Sequence, residues 1–197
     1  MSKNFGIALF AVLLVSFVVA PCGAAELVQN GGFETGNFNF WTVTPASSGS
    51  LLAVNATHPH TGTYAAAFGA VGTQDDAITQ QTLSTVPGQS YTFSFWLAHP
   101  YTSTANDFHV FWNGGQVLST NGAANFDYTQ FSFNETAGAG PTVISFSGLE
   151  NPAYFYLDDV SVIGPAPSVP EPLSLLFLGT GLVGIAVIKK NNRKDEV

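Results

Sequence analysis

The sequence predicts an all-β protein, an antiparallel β-sandwich (jelly roll) flanked by an N-terminal signal helix and a C-terminal transmembrane helix. Three observations carry that expectation. Aromatic and β-branched residues alternate with polar ones at a period of two through the middle of the chain. Turn signals rich in Gly, Pro, Asn and Thr recur every 8–15 residues, with no sustained helical periodicity between them. The two long, predominantly apolar stretches, Phe5–Ala20 and Leu173–Ile188, lie near the two ends.

The clearest strand is Ser90–Ala98. Tyr91, Phe93, Phe95 and Leu97 share one face, and Thr92, Ser94, Trp96 and Ala98 share the other. Asp107–Trp112, Tyr128–Phe133, Thr142–Ser147 and Ala153–Val162 read as further short strands. Asn113-Gly114-Gly115 is a hairpin signal, and Val86-Pro87-Gly88-Gln89 is a second turn. This spacing of strands suits a sandwich.

The ends obey different rules. Lys3, the apolar run Phe5–Ala20 and the small residues Gly23 and Ala25 have the three-part order of a secretory signal peptide, residues 1–25, with a cut at Ala25/Glu26. A lipoprotein cysteine at Cys22 is the rival reading; Pro21 directly before it argues against it. An uncleaved N-terminal anchor is a third. At the other end, residues 164–169 form a Pro-rich linker, followed by Pro170-Glu171-Pro172 and the uncharged stretch Leu173–Ile188. As a helix these 16 residues rise about 24 Å, a little short of the ~30 Å hydrocarbon layer. Lys189 and Lys190 can reach toward the headgroups, and with Arg193 and Lys194 they keep this end cytoplasmic.

This tail, residues 170–197 with Val169 before it, resembles the PEP-CTERM sorting signal of Gram-negative bacteria: Val169-Pro170-Glu171-Pro172, an apolar helix, then a basic end. The resemblance implies an exosortase as processing partner. It also implies transient anchoring in the inner membrane and release of the helix, leaving the protein at the cell surface or outside the cell.

Between the ends lies one domain, residues 26–163. All five Lys and Arg of the chain lie in the terminal segments; the stretch from Glu26 to Val169 keeps ten acids and four His, a net charge of −10 with His neutral. Such a domain cannot neutralise phosphates, so nucleic acid is excluded as a partner, and an anionic lipid surface is disfavoured for the same reason. The single Cys, Cys22, lies in the signal segment, so no disulfide supports the domain. Without Lys or Arg, any partly buried carboxylate must be solvated, hydrogen-bonded or bound to a metal.

A second resemblance covers the domain. Leu27–Trp41, Gly62-Thr63-Tyr64-Ala65, Val86–Tyr91 with the Phe-rich strand after it, and Tyr156–Val162 look like the matching segments of carbohydrate-binding-module-like, galactose-binding-type jelly rolls. Many members bind glycans. The resemblance also implies a structural Ca²⁺ where the first and last strands meet. Its ligands would be Glu34, Asp158 or Asp159, carbonyls of Asn30–Gly32 and the loop near Thr61. Adjacent strand residues diverge, so only one of the two Asp is expected to coordinate through its side chain, with Asp159 preferred. Solvated, hydrogen-bonding acids are the alternative.

A glycan site needs an aromatic platform with polar groups around it. Trp96, on the polar face of its strand, is the candidate platform. Asp107, His109 and Gln130 are the candidate polar contacts, with Phe111 on the same face as Asp107 and His109. The competing reading makes Trp96 a packing residue. Trp41 and Trp112 are assigned to the core, His58-Pro59-His60 to a loop, and His99 to a strand end. No catalytic residue is assigned. Asp75-Asp76 and Asp158-Asp159 are adjacent pairs that diverge in an extended chain, and no nucleophile elbow, zinc signature or phosphate loop is present. The expected function is non-catalytic binding of extracellular polysaccharide by an exported surface or matrix protein. The alternatives are a structural surface protein without a ligand and a glycan-active enzyme.

Overall fold

The computed structural model describes residues 24–101 and 105–165. The signal segment to Gly23, the sorting residues Val169–Pro172, the apolar stretch 173–188 and the basic residues Lys189, Lys190, Arg193 and Lys194 lie outside the described residues.

The described residues form ten strands: β1 (Thr42–Thr44), β2 (Ala53–Asn55), β3 (Ala65–Phe68), β4 (Asp76–Leu83), β5 (Ser90–His99), β6 (Asn106–Trp112), β7 (Gly115–Asn121), β8 (Phe126–Thr136), β9 (Thr142–Glu150) and β10 (Phe155–Ile163). They make two five-stranded sheets, ordered β1-β4-β9-β6-β7 and β2-β3-β10-β5-β8, with antiparallel pairing throughout. The predicted antiparallel sandwich is what forms. Strands β1 to β4 and β7 carry no strong alternation. Their pairing comes from the sheets they join, which is a tertiary effect.

The two predicted turns are present. Asn113 and Gly114 both have positive φ, 49° and 79°, and Trp112 pairs with Gly115. That is the geometry of a two-residue hairpin whose twist matches its strands. At Val86–Gln89, Gln89 N–H donates to Val86 O at 3.1 Å, with Gly88 at φ 77°; Pro87 pre-sets the preceding φ.

The inward faces interlock through phenyl rings. Phe33, Phe68, Phe93, Phe95, Phe108, Phe146 and Phe155 are fully buried, each contributing roughly 1.5–3 kcal/mol of burial. Edge-to-face pairs tie the sheets together: Phe95–Phe146 at 5.2 Å and 87°, and Phe68–Phe108 at 5.2 Å and 80°. Trp41 and Trp112 are buried, and each indole N–H finds a carbonyl, Asn30 O at 3.2 Å and Thr136 O at 3.1 Å. His99 is more than a strand end. It is fully buried, stacks on Phe155 at 4.3 Å, and its Nε2 lies 2.6 Å from Glu150 Oε2. Because β5 and β9 belong to different sheets, this pair is a polar link between them.

The expected grouping of Asp107 and His109 around Trp96 does not form. Consecutive strands β5 and β6 are not paired: β5 sits between β10 and β8, and β6 between β9 and β7, in the opposite sheet. The polar faces of β5 and β6 therefore look out from opposite sides of the sandwich.

Candidate functional sites on the two sheet faces

Three separated motifs meet at the middle of β10. In Asn30-Gly31-Gly32-Phe33-Glu34, the chain turns so closely against β10 that a Cβ on Gly31 would lie 2.0 Å from Val160 O. Val160 N–H donates to Gly31 O at 3.0 Å. The turn presents Glu34 to Gly62-Thr63-Tyr64, where its carboxylate accepts from Thr63 N (2.9 and 3.1 Å) and Tyr64 N (3.0 Å). Gly62 has φ 60°, and a Cβ there would fall 2.4 Å from Glu34 Oε1, so this approach requires glycine.

Asp158 and Asp159 correct the expectation that adjacent residues diverge. Asp159 has φ 47°, and the register with β5 shifts between Asp158 and Ser161. This bulge swings both carboxylates toward the same loop. Asp158 Oδ2 accepts from His60 N at 2.8 Å and Thr61 N at 3.2 Å, and its Oδ1 accepts from Asp159 N at 2.7 Å. Asp159 Oδ1 accepts from Thr61 Oγ1 at 2.7 Å, and Oδ2 lies 2.7 Å from His60 Nδ1. Three carboxylates therefore clasp residues 60–64. Burial pushes Asp158 up to about 6, and the backbone donors only partly offset it. Every carboxylate oxygen of the three accepts a hydrogen bond from the chain itself, and no Lys or Arg of the domain pairs with them.

The clasp lays the loop 58–61 over the outer face of β2-β3-β10-β5-β8. His60 stacks on Trp96, with centroids 4.0 Å apart and planes at 19°. His58 stacks on Tyr128 at 5.5 Å and contacts Tyr156 at 5.0 Å, while Tyr128 Oη donates to His58 O at 2.6 Å. Burial and the charges of Asp158 and Asp159 push the Tyr128 hydroxyl far up. Gln130, directly opposite Trp96 on β8, is exposed. So Trp96 and Gln130 come together, but one face of the indole is taken by His60. Asp107 and His109 are on the other side of the molecule.

The outer face of β1-β4-β9-β6-β7 differs in character. Its residues stay partly or fully open to solvent. The registers set them in rows: Gln116–Phe111–Ser145–Thr79–Thr42, and beside it Ser119–His109–Ser147–Ala77–Thr44. Each row combines hydroxyl or amide groups with a ring. The next row is Asn121–Asp107–Leu149, and Asp75 lies beside Asp107 from just before β4, with Ser147 Oγ donating to Asp75 Oδ2 at 2.8 Å. Burial, then the neighbouring Asp75 charge, push the Asp107 carboxyl above its usual value; His109 partly opposes this, its Nε2 being 3.8 Å from Asp107 Oδ1. Asp75, Ser119, Gln116 and Ser147 were not picked out as site residues from the sequence. Asp75 shares the odd-numbered parity of Ala77 and Thr79, and that parity was the available signal.

The comparisons with known proteins agree on the sandwich. A family model described as a carbohydrate binding domain matches residues 25–121. No curated protein matches. Among solved structures, the chain is similar to the TmCBM61 module in complex with β-1,4-galactotriose, with 18% identity and TM-score 0.53 over 72% of this chain and 99% of that one. It is similar to the K3 cleaved adhesin domain of Lys-gingipain from Porphyromonas gingivalis, with 15% identity and TM-score 0.54 over 72% and 99%. It also resembles the enzymatically active domain of a tailspike protein of bacteriophage CBA120, with 15% identity and TM-score 0.54 over 71% of this chain. There it spans only 21% of the longer protein. At these identities the likeness is one of fold.

Proposed function

We propose that this protein is an exported, non-catalytic binder of extracellular polysaccharide, and that the glycan lies across the open face of β1-β4-β9-β6-β7. The observation that carries the reading is the row Gln116–Phe111–Ser145–Thr79–Thr42, a half-exposed ring in line with hydroxyl and amide groups across five strands. A sugar chain offers alternating apolar ring faces and hydroxyl edges, and such a row answers both. The carbohydrate-binding family model and the galactotriose-bound neighbour support it. The other sheet face is the weaker candidate, because its indole is stacked under His60.

The terminal segments support an exported route: signal peptide, transient hold in the inner membrane by residues 173–188, and exosortase processing at the Val169–Pro172 motif. Mass spectrometry of the cell-surface fraction tests this, since recovery of Leu173–Val197 in the mature protein contradicts it. A structural Ca²⁺ held by Glu34, Asp158 and Asp159 would add neutralising charge to the clasp.

Affinity electrophoresis of the full chain through xylan, β-1,4-galactan and hydroxyethylcellulose tests the binding. The expected result is retardation by one of them, weakened about tenfold or more by Phe111→Ala, equivalent to about 1.4 kcal/mol. No retardation on any polysaccharide contradicts the reading and favours a purely structural surface role.

A further inference from the structure

We propose that Asp75, Asp107 and His109 bind a divalent transition-metal cation of the Zn²⁺ class on the open sheet face. Each offers one ligand atom, and these atoms lie within 4.8 Å of one another. This is a different place from the clasp at Glu34, Asp158 and Asp159, on the opposite sheet from β10.

Two independent observations point to a cation. The first is Asp107 Oδ1, which is sealed from solvent and accepts no hydrogen bond. A buried oxygen left without a donor costs about 1–3 kcal/mol, more when charged. No Lys or Arg exists in the domain to compensate it. The second is the way His109 is held. Its Nδ1 lies 3.1 Å from Ser119 Oγ and 3.1 Å from Gln116 Nε2, which leaves Nε2 turned toward the carboxylates. Ligating histidines are oriented in this way, with the other ring nitrogen held by a hydrogen bond. Ser119 Oγ accepts from an Nδ1–H, and the Gln116 carboxamide does the same when its oxygen and nitrogen are exchanged. Asp75 is likewise fixed, by the Ser147 hydroxyl at 2.8 Å.

The donor set chooses the metal class. Two carboxylates and an imidazole suit Zn²⁺ and its neighbours, whereas Ca²⁺ takes oxygen ligands. Three protein ligands leave a position open toward solvent. Asp107 and His109 share this sheet face with the rows along which the polysaccharide is proposed to lie, and sugar hydroxyls are suitable donors to such a cation.

The test is a titration of Zn²⁺ into the metal-stripped full chain at neutral pH, by calorimetry, with no polysaccharide present. The expected result is one saturable site, weakened about tenfold or more by Asp107→Asn and by His109→Gln, and unchanged by Glu34→Gln. A parallel measurement on the unmodified protein uses imidazole ¹⁵N resonances: His109 should show a metallated Nε2 and a protonated Nδ1. Affinity unchanged in both variants overturns the proposal, as does a His109 ring that does not respond at saturating Zn²⁺. Polysaccharide retention in EDTA is read separately, so failure of the metal site and failure of the carbohydrate reading are distinguishable.

Discussion

The rings of His60 and Trp96 lie 4.0 Å apart and nearly parallel, and Asp159 Oδ2 holds the edge of the His60 ring at Nδ1, 2.7 Å away. The indole that the sequence offers as a sugar platform is therefore a platform for a histidine of its own chain. Trp96→Phe should keep polysaccharide retention within about twofold of the unmodified protein, while His60→Ala should shift the tryptophan emission as the ring is uncovered. Loss of retention in Trp96→Phe, with the fold intact by circular dichroism, would move the glycan site to the other sheet.

Gly31 is needed where the first turn meets β10. Gly31→Ala brings a Cβ to 2.0 Å from Val160 O, and backbone cannot yield as a side-chain end can. The expected cost is about 3 kcal/mol or more in urea unfolding. Gly140→Ala, which meets nothing within 4 Å, should change stability by less than about 0.5 kcal/mol.

The His99–Glu150 pair joins the two sheets with both side chains out of solvent. Glu150→Ala leaves a buried imidazole nitrogen without its partner and should lower unfolding stability by about 1–3 kcal/mol. A loss below 1 kcal/mol would show that the pair is incidental to the packing.

Asp158 gives the clasp a pH dependence. Its folded value, near 6, is above the unfolded one of 3.8. Between those values the folded state holds a proton that the unfolded chain has released, so stability falls as pH rises through the window. Chemical denaturation in EDTA should show this decline from about pH 4 to about pH 6. With millimolar Ca²⁺ the decline should flatten, because the cation favours the ionised carboxylates. Identical curves with and without Ca²⁺ would count against the calcium at Glu34, Asp158 and Asp159.

Much of the fold was legible because its strongest signals are local. Period-two alternation gave β5, β6 and parts of β8, β9 and β10, and turn residues gave the bends at Val86–Gln89 and Asn113-Gly114. The short strands β1 to β3 were not legible, since Thr42-Val43-Thr44 or Ala65-Ala66-Ala67 carries little pattern without its neighbours. The site was half legible. Asp107, His109 and Phe111 were correctly read as sharing one face, yet Trp96 was set beside them, because nothing local in the sequence marks that β5 and β6 belong to opposite sheets. The convergence of Asp158 and Asp159 was hidden for a similar reason. It depends on a bulge and one positive φ at an aspartate, which strand parity does not anticipate.

Amide chemical-shift mapping during titration of the retained polysaccharide tests the central claim most directly. The largest shifts should fall on Thr79, Phe111, Ser119 and Ser145, with Ser94, Gln130 and Ser132 still. Shifts centred on Ser94, Gln130 and Ser132 would contradict it.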